Sequence, residues 1–109
     1  MAQAKSTWGM AASFTTAYNA IQITQCPLTL VTPKNWQKVM LADIDELRKP
    51  TKGGKTKRDT KAMAYVAARR LWPDEDFLAT PRCTTPHDGI IDSLLIAKWG
   101  LLQWKENLL

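Results

Sequence analysis

The first 42 residues of this 109-residue chain contain no aspartate or glutamate. Any carboxylate chemistry must therefore draw on Asp43, Asp45, Glu46, Asp59, Asp74, Glu75, Asp76, Asp88, Asp92 or Glu106. Histidine is reduced to a single residue, His87. Cys26 and Cys83 stand far apart, and neither belongs to a CxxC or Cys/His pair with zinc-ligand spacing. A zinc site is not expected, and the two cysteines read as buried thiols of a reducing compartment. No apolar run approaches the ~18 residues that span a bilayer. The stretch from Met1 to Trp8 has no apolar core of signal-peptide length. A cytoplasmic location without membrane association is the default expectation.

What is present fits one globular domain spanning residues 1–109. The length suffices for one core but not two, and 45% apolar with 23% charged residues is an ordinary globular composition. The formal charge of +5 is unevenly placed. Between Arg48 and Arg70 nine basic residues (Arg48, Lys49, Lys52, Lys55, Lys57, Arg58, Lys61, Arg69, Arg70) face one acid, Asp59. That density makes the segment a candidate polyanion-binding surface, or a solvated loop and helix face.

Hydrophobic spacing predicts a helix over about Gln3 to Gln22, with Trp8, Ala11, Ala12, Phe14, Tyr18 and Ile21 supplying apolar surface. Gly9, Ser13 and Ala17 form a small-residue stripe along it, suited to close backbone approach. Cys26 to Pro33 is short, β-branched and bracketed by prolines, which predicts a strand. Pro33 then opens a short helix to Leu41 with Thr32 as its cap and Trp36, Val39 and Met40 inward. Lys34 and Lys38 share a face of it and can touch phosphate.

Residues 48–58 lack apolar side chains and carry Pro50, Gly53 and Gly54, so a basic mobile loop is expected. Gly53-Gly54-Lys55-Thr56 is not a P-loop: residue 49, where the first glycine would fall, is lysine, and no strand precedes it. Asp59 or Thr60 caps a helix to about Trp72, with Met63, Val66, Ala67 and Leu71 inside, and Pro73 ends it. Phe77 to Thr80 is at most a short extended piece. A last helix runs from near Asp88 to about Lys105.

The densest chemistry lies from Pro86 to Gly100. Asp88 and Asp92, at i and i+4, fall about 40° apart around a helix, and Leu95, Ile96 and Trp99 continue the same stripe. Such a pair can share a divalent cation, and magnesium prefers hard oxygen ligands of this kind. Alternatively, Thr85 is an N-cap, Pro86 the first helical residue, and Asp88 closes a capping box.

Three segments, in order, resemble the RuvC-like Holliday-junction resolvases, particularly their bacteriophage branch. His87-Asp88-Gly89-Ile90-Ile91-Asp92-Ser93-Leu94-Leu95-Ile96-Ala97 is similar to the HDGxADALLIA signature, with Ile91 and Ser93 in place of two alanines. Leu30 to Lys38 resembles the V-x-P-x-x-W-x-K strand-to-helix junction. Lys57 to Lys61 and Ala67 to Pro73 resemble the K-x-x-S/T … A-x-x-L-F-P helix.

The resemblance implies an α/β, ribonuclease H-like (RuvC-like) fold of which this chain carries the carboxyl-terminal portion: a helix, a strand, then helices, with the first three strands missing. It also implies a metal-dependent endonuclease acting on branched DNA such as four-way junctions, in the cytoplasm of a bacterial host. Asp88 and Asp92 match the two helix acids that hold Mg2+ (or Mn2+), and His87 would assist beside them. Lys34, Lys38, Lys52, Lys55, Lys57, Arg58 and Lys61 would hold DNA phosphates.

The family's other two metal-binding acids, on its first and a later strand, have no counterpart in residues 1–42. Either the chain is a shortened form or split reading frame whose missing strands are encoded upstream, or a homodimer partner or companion chain supplies them. Two carboxylates alone would bind magnesium weakly and are not expected to give efficient cleavage. The alternative function is a non-catalytic basic DNA-binding module derived from such a nuclease.

Overall fold

The computed structural model describes residues 2–107. Among them are four helices and one two-stranded antiparallel sheet, a mixed α/β arrangement. The chain divides into two compact units, residues 1–30 and 31–109. Among the described residues no helix is long and apolar enough to cross a membrane.

The first unit is built on α1 (Ala2–Thr24). Alanine-rich sequence favours the helix, and Phe14 stacks on Tyr18 one turn later, with ring centroids 6.1 Å apart. Gln25, in the left-handed region at φ 58°, ends it, and Pro27 follows. Trp8, Met10, Phe14 and Ile23 are exposed. A methyl group placed on Gly9 would meet nothing within 4 Å.

The expected strand from Cys26 to Pro33 does not form. The segment is irregular and has no ladder partner among the described residues. β-branched residues favour extended backbone, but a strand exists only where a neighbour takes up its N–H and C=O groups. Cys26 and Cys83 are both exposed thiols, not buried ones.

The second unit contains α2 (Pro33–Met40), β1 (Arg48–Pro50), β2 (Thr56–Arg58), α3 (Thr60–Leu71) and α4 (Asp88–Lys105). Thr32 caps α2 by accepting from the Asn35 N–H at 3.4 Å, with Pro33 at the first helical position. Asp59 caps α3 through the Ala62 N–H at 3.1 Å. The Trp72 N–H closes its last turn on the Ala68 carbonyl at 2.8 Å, and Pro73 prevents continuation.

The core of this unit is Trp36, Leu41, Met63, Ala64, Ala67, Ala68, Phe77, Ile91 and Leu95. α4 is the element that both α2 and α3 pack against. Ala64, Ala67 and Ala68 give α3 a face without bulk, so the Ile91 and Leu95 side chains of α4 can seat on it. Val39 and Leu71, expected inside, are exposed, and Val66 is half-buried. The buried stripe of α3 has rotated onto its alanines, and α2 buries Trp36 with Leu41 just beyond its last turn.

Residues 48–58 are not an unstructured loop. β1 and β2 pair as a hairpin, Arg48 opposite Arg58, Lys49 opposite Lys57 and Pro50 opposite Thr56. The turn between them is closed by the Thr51 N–H donating to the Lys55 carbonyl at 2.7 Å. Gly53 and Gly54 occupy it at φ 95° and 77°, a backbone region that any other residue would enter with strain.

The long connection from α3 to α4 is pinned by Phe77. Its buried ring meets Tyr65 edge-on at 6.3 Å. Its backbone is left-handed at φ 58°, and its carbonyl accepts the His87 N–H at 2.8 Å. Burial of an aromatic ring, worth about 2 kcal/mol, offsets a non-glycine left-handed residue at about 1–2 kcal/mol.

Leu95 is fully buried at the centre of this unit. Leu95→Ala is expected to lower unfolding stability by about 3 kcal/mol, read from urea denaturation. A loss below about 1 kcal/mol would show that α4 is not the element on which the unit is assembled.

Candidate metal and phosphate site

The site is assembled where two helices begin. Asp59, Lys61, Ala62 and Tyr65 from the start of α3 and Asp88 and Ile91 from the start of α4 line one cleft of about 470 Å³. Arg70 and Leu71 from the end of α3 and Lys98 and Leu102 from later in α4 line another. The two helices therefore run in the same direction, and both positive ends open on the first cleft. Lys49 of β1 completes its wall.

The cap of α4 differs from the expected one. The N-cap is His87, two residues beyond Thr85, and its Nδ1 accepts the Gly89 N–H at 3.0 Å. The imidazole folds back so closely that a Cβ on Gly89 would lie 2.9 Å from a ring carbon. Glycine at 89 thus permits the cap. It also engages the Nδ1 lone pair of His87, leaving only Nε2 for any contact beside the carboxylates.

Asp88 is the first residue of α4, where the helix dipole favours a carboxylate. Its Oδ2 lies 3.1 Å from Lys61 Nζ, and both side chains are more than half exposed. Asp92 follows one turn later and is half-buried. Its carboxyl is pushed above the ordinary aspartate value, first by partial burial and then by the charge of Asp88, with Lys61 pulling the other way. Two carboxylates thus share one end of a helix and repel each other, the condition that a hard cation relieves.

Among the described residues no group of three or more His, Cys, Asp or Glu gathers in a metal-binding cluster.

The predicted phosphate-binding residues do not form one surface. Lys34 and Lys38 of α2 and Arg58 of β2 line a groove of about 520 Å³, together with Gln37, Glu46 and Met63. The Arg58 Nε–H donates to Met63 Sδ at 3.3 Å, holding the guanidinium at the groove wall. Lys61 sits instead at the aspartate cleft, while Lys52 and Lys55 lie in the hairpin turn. Lys57, opposite Lys49, faces away from Arg58, because neighbouring residues on a strand point to opposite sides.

Sequence reasoning named Lys49 only within the basic segment and missed Tyr65 and the Phe77 pin. The first was visible as one basic residue among many, but nothing local distinguishes it or betrays a left-handed phenylalanine. The Cys83 thiol, exposed, is drawn below its usual value by hydrogen bonds from Thr80. It stands apart from both basic grooves.

No protein-family model matches the chain, and comparison with curated proteins and with solved structures found no match.

Because the folded chain holds the Asp92 proton more tightly than the unfolded chain does, this residue's contribution to stability falls as pH rises above the ordinary value of 3.8. Asp92→Asn is expected to melt higher than the parent at pH 7, with the difference vanishing near pH 3. Thermal unfolding at the two pH values checks this. An equal effect at both would remove repulsion and burial as its cause.

Proposed function

We propose that this chain is the carboxyl-terminal portion of a RuvC-like, ribonuclease H-like nuclease that acts on branched DNA. The observation that carries the reading is that Asp88 and Asp92 lie one turn apart at the head of α4, with Asp88 paired to Lys61 and lining one cleft with Lys49. The HDG signature implies such a placement. The ordered resemblance of the other two segments supports it.

In this reading Asp88 and Asp92 hold Mg2+ or Mn2+ through hard oxygens, and the raised proton affinity of Asp92 is what a shared cation would reverse. When bound, such an ion supplies Lewis-acid activation of water and neutralises phosphate charge. The chain's own residues do the rest. Asp88 and Asp92 orient the oxygen ligands, His87 fixes the helix start beneath them, and Lys61 and Lys49 hold the phosphate at the cleft. Lys34, Lys38, Lys52, Lys55, Lys57 and Arg58 bind further phosphates, positioning the backbone without reading its sequence. The two remaining acids of such a site are not among residues 1–42 and would come from elsewhere.

A second reading, a basic DNA-binding module without catalysis, is favoured by the ion pair that Lys61 makes with Asp88. An exposed pair of this kind is worth about 0–1 kcal/mol, so a cation can displace it.

Substitution separates the two. A cation that binds only the folded chain raises its melting temperature. In the nuclease reading millimolar Mg2+ does so for the parent chain, Asp88→Asn and Asp92→Asn abolish the shift, and Lys61→Ala strengthens it while weakening binding to a four-way junction. A melting temperature insensitive to Mg2+ in all four proteins, with junction binding retained, decides for the non-catalytic module.

A further inference from the structure

The hairpin is electrostatically expensive as it stands. Two of its three cross-strand pairs set like charges directly opposite each other, Arg48 against Arg58 and Lys49 against Lys57. Such rungs destabilise a sheet, and a three-rung hairpin has little ladder to offset them. Among the described residues Arg48 has an acidic partner: its Nη1 pairs with Glu46 at 3.0 Å, and its Nε–H donates to Thr56 at 2.9 Å. Arg58, Lys49 and Lys57 have no ion pair among the described residues.

The strand alternation sends these charges to two sides. Arg58 looks into the α2 groove with Lys34 and Lys38, whereas Lys49 lines the aspartate cleft with Lys61. The two basic grooves therefore lie on opposite faces of one thin two-stranded wall. The wall ends in a turn that carries Lys52 and Lys55 and no acid.

We propose that the hairpin is a divider between two phosphate tracks, and that the chain binds a forked nucleic acid with one diverging arm on each face. This rests on the nucleic-acid reading above and narrows its substrate to strands that separate at the hairpin. One arm runs along Lys34, Lys38 and Arg58. The other runs along Lys49, Lys57 and Lys61, toward Asp88 and Asp92. Phosphates on both faces neutralise the opposed cations, so the repulsion in the free hairpin is exchanged for contacts to the ligand. A continuous duplex reaches only one face at a time.

The test compares a forked DNA, a linear duplex and a single strand of matched sequence, across a salt series. The parent chain is expected to bind the fork at least ten-fold more tightly than either linear probe. Lys34→Glu with Lys38→Glu, or Lys49→Glu with Lys57→Glu, should each erase that preference and lower the salt slope for the fork by about two. Each should weaken fork binding at least about ten-fold more than duplex binding, because one track remains for the duplex. Lys57→Glu alone turns a like-charge rung into an opposite-charge one. It should therefore fold at least as stably as the parent, by melting temperature, while losing fork preference, which separates ligand contact from misfolding.

Binding of fork and duplex with equal affinity by the parent overturns the divider and leaves the nucleic-acid reading standing. So does an equal loss on both probes in either pair of substitutions. Failure of the parent chain to bind any of the three DNAs at low salt overturns both.

Discussion

Everything at the candidate site depends on how closely α3 and α4 can approach. Ala64, Ala67 and Ala68 present almost no side chain to α4, and Ile91 and Leu95 fill the space they leave. A close-packed interface of this kind transmits position with little play. It brings the first turn of α3 to the first turn of α4, and Lys61 Nζ thereby comes within 3.1 Å of Asp88. Bulkier side chains on α3 would separate the helix starts, widen the cleft and release the pair. The core and the site are one arrangement viewed from two ends.

The same constraint explains why the connection between these helices contains a strained residue. Two helices that run in one direction need a return crossing, and residues 72–87 make it. Phe77 anchors the crossing with its ring in the core, and its left-handed backbone turns the chain so that its carbonyl meets the His87 N–H. His87 in turn caps α4 through Gly89. A buried ring, one backbone bond and one cap thus set where the carboxylates begin.

The helices were legible because their boundaries are written locally. Thr32-Pro33, Asp59 and Pro73 act through bonds and clashes within a few residues, and the structure starts or stops each helix within about two residues of these signals. What was not legible is non-local. Leu28 to Val31 has the composition of a strand, but composition cannot supply the neighbour that a ladder needs. Residues 48–58 have the composition of a loop, yet they pair, because a two-glycine turn closes them and Leu47 accepts the Asp59 N–H at their base at 2.7 Å. The i, i+4 spacing of Asp88 and Asp92 was readable from number alone. Their partner Lys61, 27 residues earlier, was readable only as one basic residue among nine.

Charge placement carries the functional argument further than charge total. A net +5 is compatible with many proteins. A hairpin that opposes arginine to arginine and lysine to lysine is less so, because each such rung works against the pairing that displays it. A chain can tolerate that arrangement when an anionic ligand supplies what the fold withholds, and the two helix starts at the neighbouring cleft add partial positive charge on the same side. Against this background Asp88 and Asp92 stand out. They are acids at the end of the unit where the helix dipoles and Lys49 and Lys61 place positive charge, and Asp92 holds its proton above the ordinary aspartate value. If the neighbouring lysines hold phosphate as proposed, carboxylates beside them would repel that ligand unless a cation stood between the two kinds of oxygen. In the proposed reading, that is the conflict a bound cation would resolve.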